Sequence, residues 1–365
     1  MKLLLEKAKQ QFESNLPFVL YKKPNINSVR AVFQKNDSLN LVHDFTEKGF
    51  VFASFDGNQT ILIPENQSEV YEAKLLQNDS EINQEEWSIL NESARTDFEK
   101  LVTNGIQAIK KDEFQKVVLS RKEVVELVDF DVVQTFEKLI QCYSNAFVYC
   151  FFHPKIGLWF GASPEQLVQS NGNNFKTISL AGTQKSNDFE NLTWKDKEMK
   201  EQQFVTDYIV AKLKNVTIQL EVSEPYSFKA GMLWHLKTDI SGEIQSDFGL
   251  QKIVRMLHPT PAVCGFPKEN ARKFIVENEQ YNRSFYTGFL GELNCGAENE
   301  REKSDLFVNL RCMEIVFFQD TKELQSDHVN AILYMGCGIT KDSIPEKEWQ
   351  ESVNKSMTMK RVLNL

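Results

Sequence analysis

Apolar and polar residues follow two periodicities along the chain, and these predict its secondary structure. Alternating segments and short apolar runs predict strands at 116–121, 146–152, 157–161, 166–170, 175–179, 216–222, 233–243, 286–293, 305–317 and 329–335. Apolar residues three and four positions apart predict helices at 131–143, 195–213, 248–257, 268–278 and 345–361. Because many strands follow one another with no helix between them, we expect a mostly antiparallel sheet and the α+β class.

The first hundred residues carry strand-like segments but no chemical motif. Two of these segments are Ser28–Phe33 and Phe50–Phe55. No internal repeat or low-complexity linker divides the chain, so we predict one domain over 1–365. Residues 1–100 are expected to be a structural subregion, and the part that bears the motifs is expected to span 110–360.

Composition and charge exclude several classes of protein. The 365 residues include 42 Lys+Arg and 51 Asp+Glu, a net charge of −9, and no basic cluster of the kind that tracks nucleic-acid phosphates. The longest uncharged stretch, 139–154, is too short and too polar to span a membrane, and the N-terminus does not resemble a signal peptide. The cysteines and histidines show no CxxC or HExxH spacing. We therefore expect a cytoplasmic enzyme that does not use zinc.

Two predicted helices place carboxylates beside apolar stripes. Glu201 precedes the apolar stripe of helix 195–213. It either lies at the edge of the stripe, in contact with water, or is a metal ligand. Glu348, Glu351 and Lys355 share one face of helix 345–361. They are either a site for a hard cation such as magnesium or an acidic first turn that complements the helix dipole.

Three charged residues could perform chemistry if they are buried. Lys116 opens a strand, where most lysines reach solvent, but in a cavity it would be a usable general base. Glu165 follows a proline between two strands and is either a solvated turn residue or a general acid. Arg311, placed on the strand 305–317, could bind a carboxylate, or it could be an exposed or ion-paired strand arginine.

A glycine pair and two histidines complete the candidate residues. Gly336 and Gly338 lie between an apolar strand and a helix, where they suit either close approach to a small anion or a plain tight turn. They lack the third glycine of a dinucleotide-binding fingerprint. His235 and His258 could contact a substrate, although single histidines are more often structural.

Several motifs in order resemble those of the chorismate-utilising enzymes. The matching segments are KVVLSR (116–121), GASPE (161–165), SLAGT (179–183), KEMKEQ (197–202), HLKTDISG (235–242), LHPTPAVCGFPKENA (257–271), YTGFLG (286–291), NLRCMEI (309–315) and GCGITKDSIPEKEWQESVNK (336–355). The resemblance implies the fold of anthranilate synthase component I, a two-sheet sandwich of mostly antiparallel strands flanked by helices.

Two positions discriminate among the members of this family. Ammonia-adding members usually carry glutamine where this chain has Lys116, and aminodeoxychorismate synthases typically carry lysine where it has Ala181. The resemblance therefore implies an isochorismate synthase, an isomerase acting on chorismate for menaquinone or siderophore supply, with no amidotransferase subunit. Salicylate synthase is the close alternative, and the short N-terminal third favours isochorismate synthase. A non-catalytic binding module would be expected to have lost these residues.

The resemblance also implies a role for each site residue. Lys116 would activate a water molecule that attacks carbon 2, and Glu165 would protonate the hydroxyl leaving carbon 4. Magnesium would be held by Glu201, Glu348 and Glu351. The substrate would be bound by Ala181, Gly182, Thr183, His235, Tyr286, Leu310, Arg311, Gly338 and Lys355. One departure from the family pattern is Gln202, which replaces a histidine often found after the metal glutamate. We expect a monomer or a homodimer.

Overall fold

A computed structural model describes residues 1–75, 92–184, 193–230, 233–245, 248–296, 302–318 and 328–363. Within these ranges the chain forms seven α-helices. They are α1 (Lys2–Glu13), α2 (Glu92–Lys110), α3 (Val132–Cys142), α4 (Asp196–Leu213), α5 (Leu250–Leu257), α6 (Lys268–Asn278) and α7 (Pro345–Lys360). Of these helices, none combines the length and the apolar composition that crossing a bilayer requires.

The strands of the described ranges form two large sheets. The first, in spatial order, is β15 (Gly265–Phe266), β7 (Lys116–Leu127), β19 (His328–Ile339), β18 (Cys312–Phe318), β9 (Gly157–Ser163), β8 (Phe147–His153), β1 (Phe18–Lys22), β2 (Ser28–Gln34) and β6 (Ser68–Lys74). The second is β12 (Thr217–Val222), β14 (Leu233–Ile244), β11 (Asn174–Gln184), β10 (Gln166–Asn171), β17 (Lys303–Val308), β16 (Phe289–Cys295), β4 (Gly49–Ala53), β5 (Thr60–Pro64) and β3 (Asn40–Leu41), with β13 (Tyr226–Ala230) also paired to β14.

The two sheets face each other across an aromatic core. All of their strand pairs are antiparallel. Phe147 of β8 stacks on Phe307 of β17 with ring centroids 4.3 Å apart, and Phe52 of β4 lies 4.4 Å from Phe151 of β8. These contacts join one sheet to the other, so the predicted two-sheet antiparallel sandwich is confirmed.

Helices cover the outer faces of the sandwich. In β8, alternate residues such as Val148 and Cys150 point away from the other sheet and pack with residues of α1 and α3. On the second sheet, Val205 and Ile209 of α4 pack with Phe175 of β11. Both faces of β8 are therefore buried, which explains why residues 147–152 read as a continuous apolar run rather than as an alternation.

One predicted element is wrong in a way that matters for the site. The segment 305–317 was expected to be a single strand, but it forms β17 and β18, which belong to different sheets. The chain crosses between the sheets at Asn309–Arg311, and Arg311 has a positive φ of 48°. Arg311 therefore lies in the crossing and not on a strand. Strand 116–121 continues to Leu127, and the strand predicted at 286–293 begins at Phe289.

Candidate active site

Two chain crossings between the sheets lie side by side and carry candidate residues. One crossing leads from β9 to β10 through Glu165, and the other leads from β17 to β18 through Arg311. The backbone N–H of Val308 donates to the carbonyl oxygen of Glu165 at 2.9 Å, and the hydroxyl of Ser163 donates to the carbonyl oxygen of Val308 at 2.5 Å. The N–H of Ala162 donates to the carbonyl oxygen of Arg311 at 3.0 Å. These bonds fix the two crossings relative to each other.

Glu165 is a buried carboxyl group, with 4% of its surface exposed. This burial removes the solvated-turn interpretation. Burial raises the pKa of Glu165 from 4.5 to about 8, against a smaller opposing effect of the Lys116 ammonium group. The side chain is therefore protonated at neutral pH, as a general acid must be before it acts.

Lys116 is fully buried although it begins strand β7, so the expectation that a strand-end lysine reaches solvent does not hold. Its Nζ lies 3.1 Å from Oε1 of Glu201. The angles of this ion pair do not meet hydrogen-bond geometry, and Nζ has no hydrogen-bond acceptor among the described residues. Lys116 is on β7 of the first sheet, and its partner Glu201 is on α4, the helix that packs against the second sheet. The ion pair therefore connects β7 with α4.

Gly338 has no side chain, and the Lys116–Glu201 ion pair occupies the space that a side chain would fill. A β-carbon at position 338 would overlap Oε1 of Glu201 and would lie 3.2 Å from Cε of Lys116. At Gly336, two residues earlier on the same face of β19, a β-carbon would lie 2.8 Å from the hydroxyl of Tyr286. The glycines therefore let side chains from other elements approach the strand closely.

Helix α7 brings two further carboxylates and a lysine to the same region. Glu351 and Lys355, four residues apart, form an ion pair with a distance of 2.6 Å between Oε1 and Nζ. Lys355 also donates to the carbonyl oxygen of Gly336 at 2.8 Å. Burial is the largest single effect on the pKa of Lys355 and lowers it, but the Glu351 carboxylate and smaller effects together raise the pKa above its ordinary value, so the lysine is cationic. Glu348, one turn earlier, is 2% exposed.

Arg311 faces the acidic groups of α7 from the second crossing. Burial lowers its pKa and Glu351 opposes that effect, and guanidinium remains charged at neutral pH. Its Nη1 lies 3.4 Å from the Thr358 hydroxyl. Leu310 precedes it in the crossing, and Tyr286 lies in the turn before β16. Among the described residues, Arg311 and Thr287 are the two non-glycine residues of the cavity lining that have a positive φ.

A bulge in β11 forms the opposite wall. The register between β11 and β14 shifts between Ala181 and Thr183, and Gly182 has a φ of +71°. Nδ1 of His235 lies 3.0 Å from the carbonyl oxygen of Gly182. Burial and the nearby Arg311 lower the pKa of His235 to about 3. A neutral imidazole that donates to a carbonyl through Nδ1 presents Nε2 as an acceptor.

One cavity is lined by most of the residues that the sequence singled out. These are Glu165, Ala181, Gly182, Glu201, His235, Tyr286, Leu310, Arg311, Gly338, Glu351 and Lys355. Lys116 and Glu348 are not among the lining residues, although Lys116 pairs with Glu201, which is. The side chain of Thr183 falls outside the described part of the structure. His258 is elsewhere: its Nε2 contacts the carbonyl oxygen of Phe55 at 3.2 Å. His258 is therefore a structural histidine and does not line the candidate site.

Several lining residues were not named from the sequence. They are Val118, Pro164, Leu180, Ala262, Val263, Thr287, Tyr334 and Met335. Most of these residues belong to the matched motifs or flank them, so the motifs could have predicted that they line the cavity. No feature of the sequence predicts this for Tyr334. A larger groove of about 580 Å³ lies elsewhere, beside Lys23 and Glu292, and contains none of the predicted site residues. The chemistry of the lining residues, and not the size of the groove, marks the candidate site.

The acidic groups fit a hard divalent cation. Carboxylate oxygens of Glu348 and Glu351 and Sγ of Cys337 lie within 4.8 Å of one another. Glu201 and Glu351 line the same cavity, and each is paired with a lysine. Carboxylate oxygens combined with water and substrate oxygens are the ligands that magnesium prefers.

Comparisons with known proteins agree with the motifs and with the fold. A family model described as "Chorismate binding enzyme" matches residues 51–364. The isochorismate synthase EntC of Escherichia coli K12 is 31% identical over 283 residues, covering 74% of this chain and 68% of EntC. The solved structure of MenF, the menaquinone-specific isochorismate synthase of Escherichia coli, has a TM-score of 0.75 and 21% identity, covering 95% of this chain and 89% of MenF.

The fold is shared with a more distant relative as well. Anthranilate synthase component I from Streptococcus pneumoniae has a TM-score of 0.63 and 16% identity, covering 94% of this chain and 92% of that protein. At these identities the solved structures establish the fold, including the expected likeness to anthranilate synthase component I. The family model covers most of the chain. The chain therefore belongs to the chorismate-binding enzyme family.

Proposed function

We propose that this protein is a magnesium-dependent isomerase that converts chorismate to isochorismate. The observation that carries the proposal is a protonated carboxyl group that lines the cavity, together with a buried lysine paired with a second carboxylate of the same lining. Lys116 is fully buried, and Glu165 has a pKa of about 8. The relatives named as isochorismate synthases support the same activity.

The reaction replaces one hydroxyl group by another on the ring. Lys116, in its uncharged amine form, takes a proton from a water molecule whose oxygen bonds to carbon 2 of chorismate, and it becomes an ammonium ion. The ring double bonds shift, and the bond from carbon 4 to its hydroxyl breaks. Glu165 gives its proton to that hydroxyl, which leaves as water. One water is added and one is lost, so substrate and product are isomers.

The opposed roles require one group to gain a proton while the other loses one. Glu165 begins protonated because burial disfavours its charged form. Oε1 of Glu201 lies 3.1 Å from Nζ of Lys116 and stabilises the ammonium ion that forms when the amine takes the proton. Neutral His235 accepts a hydrogen bond through Nε2 and therefore suits a substrate hydroxyl.

Chorismate is a dianion, and the site supplies local cations in a protein of net charge −9. Arg311 and Lys355 would bind the enolpyruvyl carboxylate, beside Tyr286 and Gly338. The backbone at Ala181–Thr183 would contact the end of the ring that carries its carboxylate. Leu310 would add an apolar contact.

Glu201 and Glu351 would hold the magnesium ion directly, and Glu348 would do so through water. When bound, the ion neutralises the ring carboxylate of the substrate. The three carboxylates lie on two helices, α4 and α7, so the site requires both helices to be in place.

A chromatographic product assay tests the proposal. Purified protein is incubated with chorismate, with and without magnesium, and the products are separated. We expect isochorismate, formed reversibly and only with the metal. Salicylate with an equal amount of pyruvate would instead identify a salicylate synthase, and a lack of turnover would contradict the proposed activity.

A further inference from the structure

A buried polar cluster lies between α4 and the second sheet, next to Glu201. Gln202 is 2% exposed, and its Nε2 donates to Oγ1 of Thr238 at 2.7 Å and to Oγ1 of Thr206 at 2.9 Å. Thr206 in turn donates to Oγ of Ser179 at 3.0 Å. The cluster is neutral, and a buried amide is tolerated only where it finds such partners.

The cluster fixes the helix to two strands at one point. Ser179 of β11 and Thr238 of β14 are directly opposite each other in the ladder, so Gln202 and Thr206 engage a single cross-strand pair. The other residues on this face of α4 include Val205 and Ile209. They are apolar, and they would also pack against the sheet after a small shift of the helix. The directional hydrogen bonds would not survive such a shift, so they set where the helix lies.

A second contact one turn earlier restricts the same helix. A β-carbon at Gly182 would lie 3.0 Å from Cβ of Glu198, so α4 abuts the bulge of β11. Adjacent helical residues are about 100° apart around the axis. With Gln202 directed at the sheet, Glu201 is turned into the cavity, where it meets Lys116.

We infer that Gln202 is a positioning residue that sets the direction of Glu201 for cation binding. The inference rests on the proposed function, because it takes Glu201 to be a metal ligand. It concerns the position at which the family often has histidine. In this chain a neutral amide bonded to Thr238 fixes the helix, and its hydrogen bonds do not depend on the protonation of an imidazole.

The test measures Mn²⁺ binding, because Mn²⁺ accepts the same oxygen ligands and its free ion is detected by EPR. The full chain is compared with Gln202→Leu, Thr238→Val and Glu201→Gln. The matched control is Gln203→Leu, since this neighbouring amide is exposed and its Nε2 donates to Oδ1 of Asp207 at 2.7 Å, away from the cluster. Near-UV circular dichroism and thermal unfolding report whether each variant folds.

We expect Mn²⁺ binding to be lost in Glu201→Gln and weakened about 10- to 100-fold in Gln202→Leu and Thr238→Val, as is typical of outer residues that orient metal ligands. Gln203→Leu should bind as the unmodified protein does. The double variant Gln202→Leu/Thr238→Val should lose no more affinity than Gln202→Leu alone, because the hydrogen bond to Thr238 is already absent in that single variant. Thr238→Val also gives an answer if Gln202→Leu does not fold.

The two hypotheses fail in different ways. Unchanged Mn²⁺ affinity in folded Gln202→Leu or Thr238→Val, with loss in Glu201→Gln, would overturn the positioning role alone. Full additivity in the double variant would overturn it as well. Unchanged affinity in Glu201→Gln would overturn the assignment of the metal ligand, and with it the proposed function of that residue.

Discussion

Replacing Glu165 by glutamine is expected to lower turnover strongly and to stabilise the folded protein. The amide keeps the shape of the carboxyl group but has no acidic proton to give to the leaving hydroxyl. General acid catalysis contributes about 10²- to 10⁴-fold to a rate, so we expect a loss of turnover in that range. The gain in stability follows from the cost of burying an ionisable carboxyl group.

That cost depends on pH in a defined direction. The pKa of Glu165 is about 8 in the folded protein, against an ordinary value of 4.5. Below pH 4.5 the carboxyl is protonated in both the folded and the unfolded states, and it does not penalise folding. Between these values the unfolded chain loses the proton while the folded protein keeps it. The free energy of unfolding therefore falls by about 1.4 kcal/mol per pH unit over this window.

The accumulated penalty is about 3 kcal/mol at pH 7 and levels off at about 5 kcal/mol above pH 8. Glutamine does not titrate, so the variant escapes this penalty. The stability advantage of Glu165→Gln should be absent near pH 4, grow through neutral pH and become constant in mild alkali. Such an exchange of stability for activity is common at active sites.

Urea unfolding at several pH values measures this advantage. The control is Glu224→Gln, which changes an exposed carboxylate and should leave the free energy of unfolding nearly unchanged. A Glu165→Gln variant that is no more stable than the unmodified protein, or an advantage that does not grow with pH, would refute the burial argument. Full turnover in the variant would refute its role as the acid.

Three further substitutions test other parts of the site. Gly338→Ala places a methyl group against Glu201, and we expect kcat to fall about a hundredfold with the fold intact by circular dichroism; an unchanged kcat would contradict the close approach. Arg311→Lys keeps the charge but loses the two-pronged contact, so KM for chorismate should rise about tenfold, and an unchanged KM would remove Arg311 from the substrate site. Glu279→Gln leaves the buried guanidinium of Arg283 without its counter-ion, now 2.5 Å away, and should lower the free energy of unfolding in urea by about 3–5 kcal/mol; a loss below about 1 kcal/mol would contradict this.

The sequence predicted much of the fold because many elements carry local signals. The helix at 195–213 appears as α4, Asp196–Leu213, since its apolar residues recur at helical spacing along the face that meets the sheet. The angular positions on helix 345–361 placed Glu351 and Lys355 on one face, and their side chains form an ion pair. Local periodicity is sufficient for such statements.

The crossing at Asn309–Arg311 could not be found in this way. Its segment is mostly apolar and contains neither glycine nor proline, so it resembles one long strand. Long-range contacts hold the break: Asn309 accepts a hydrogen bond from the hydroxyl of Tyr149 at 2.7 Å and donates to the carbonyl oxygen of Phe285 at 2.9 Å.

The burial of Lys116 is a second feature that local pattern could not give. A lysine at a strand end usually reaches water. Here its charge is compensated by Glu201, which is 85 residues later in the chain. The family motifs marked both residues as functional, but the pairing required the folded arrangement of β7 and α4.

The most direct test of the account follows the oxygen atom. The reaction is run with chorismate and magnesium in water enriched in oxygen-18, and the isochorismate formed is analysed by mass spectrometry. We predict one labelled oxygen, at the carbon 2 hydroxyl, and no product from Lys116→Ala. Isochorismate that carries no label would mean that the hydroxyl group migrates within the substrate, and it would contradict the activation of water by Lys116.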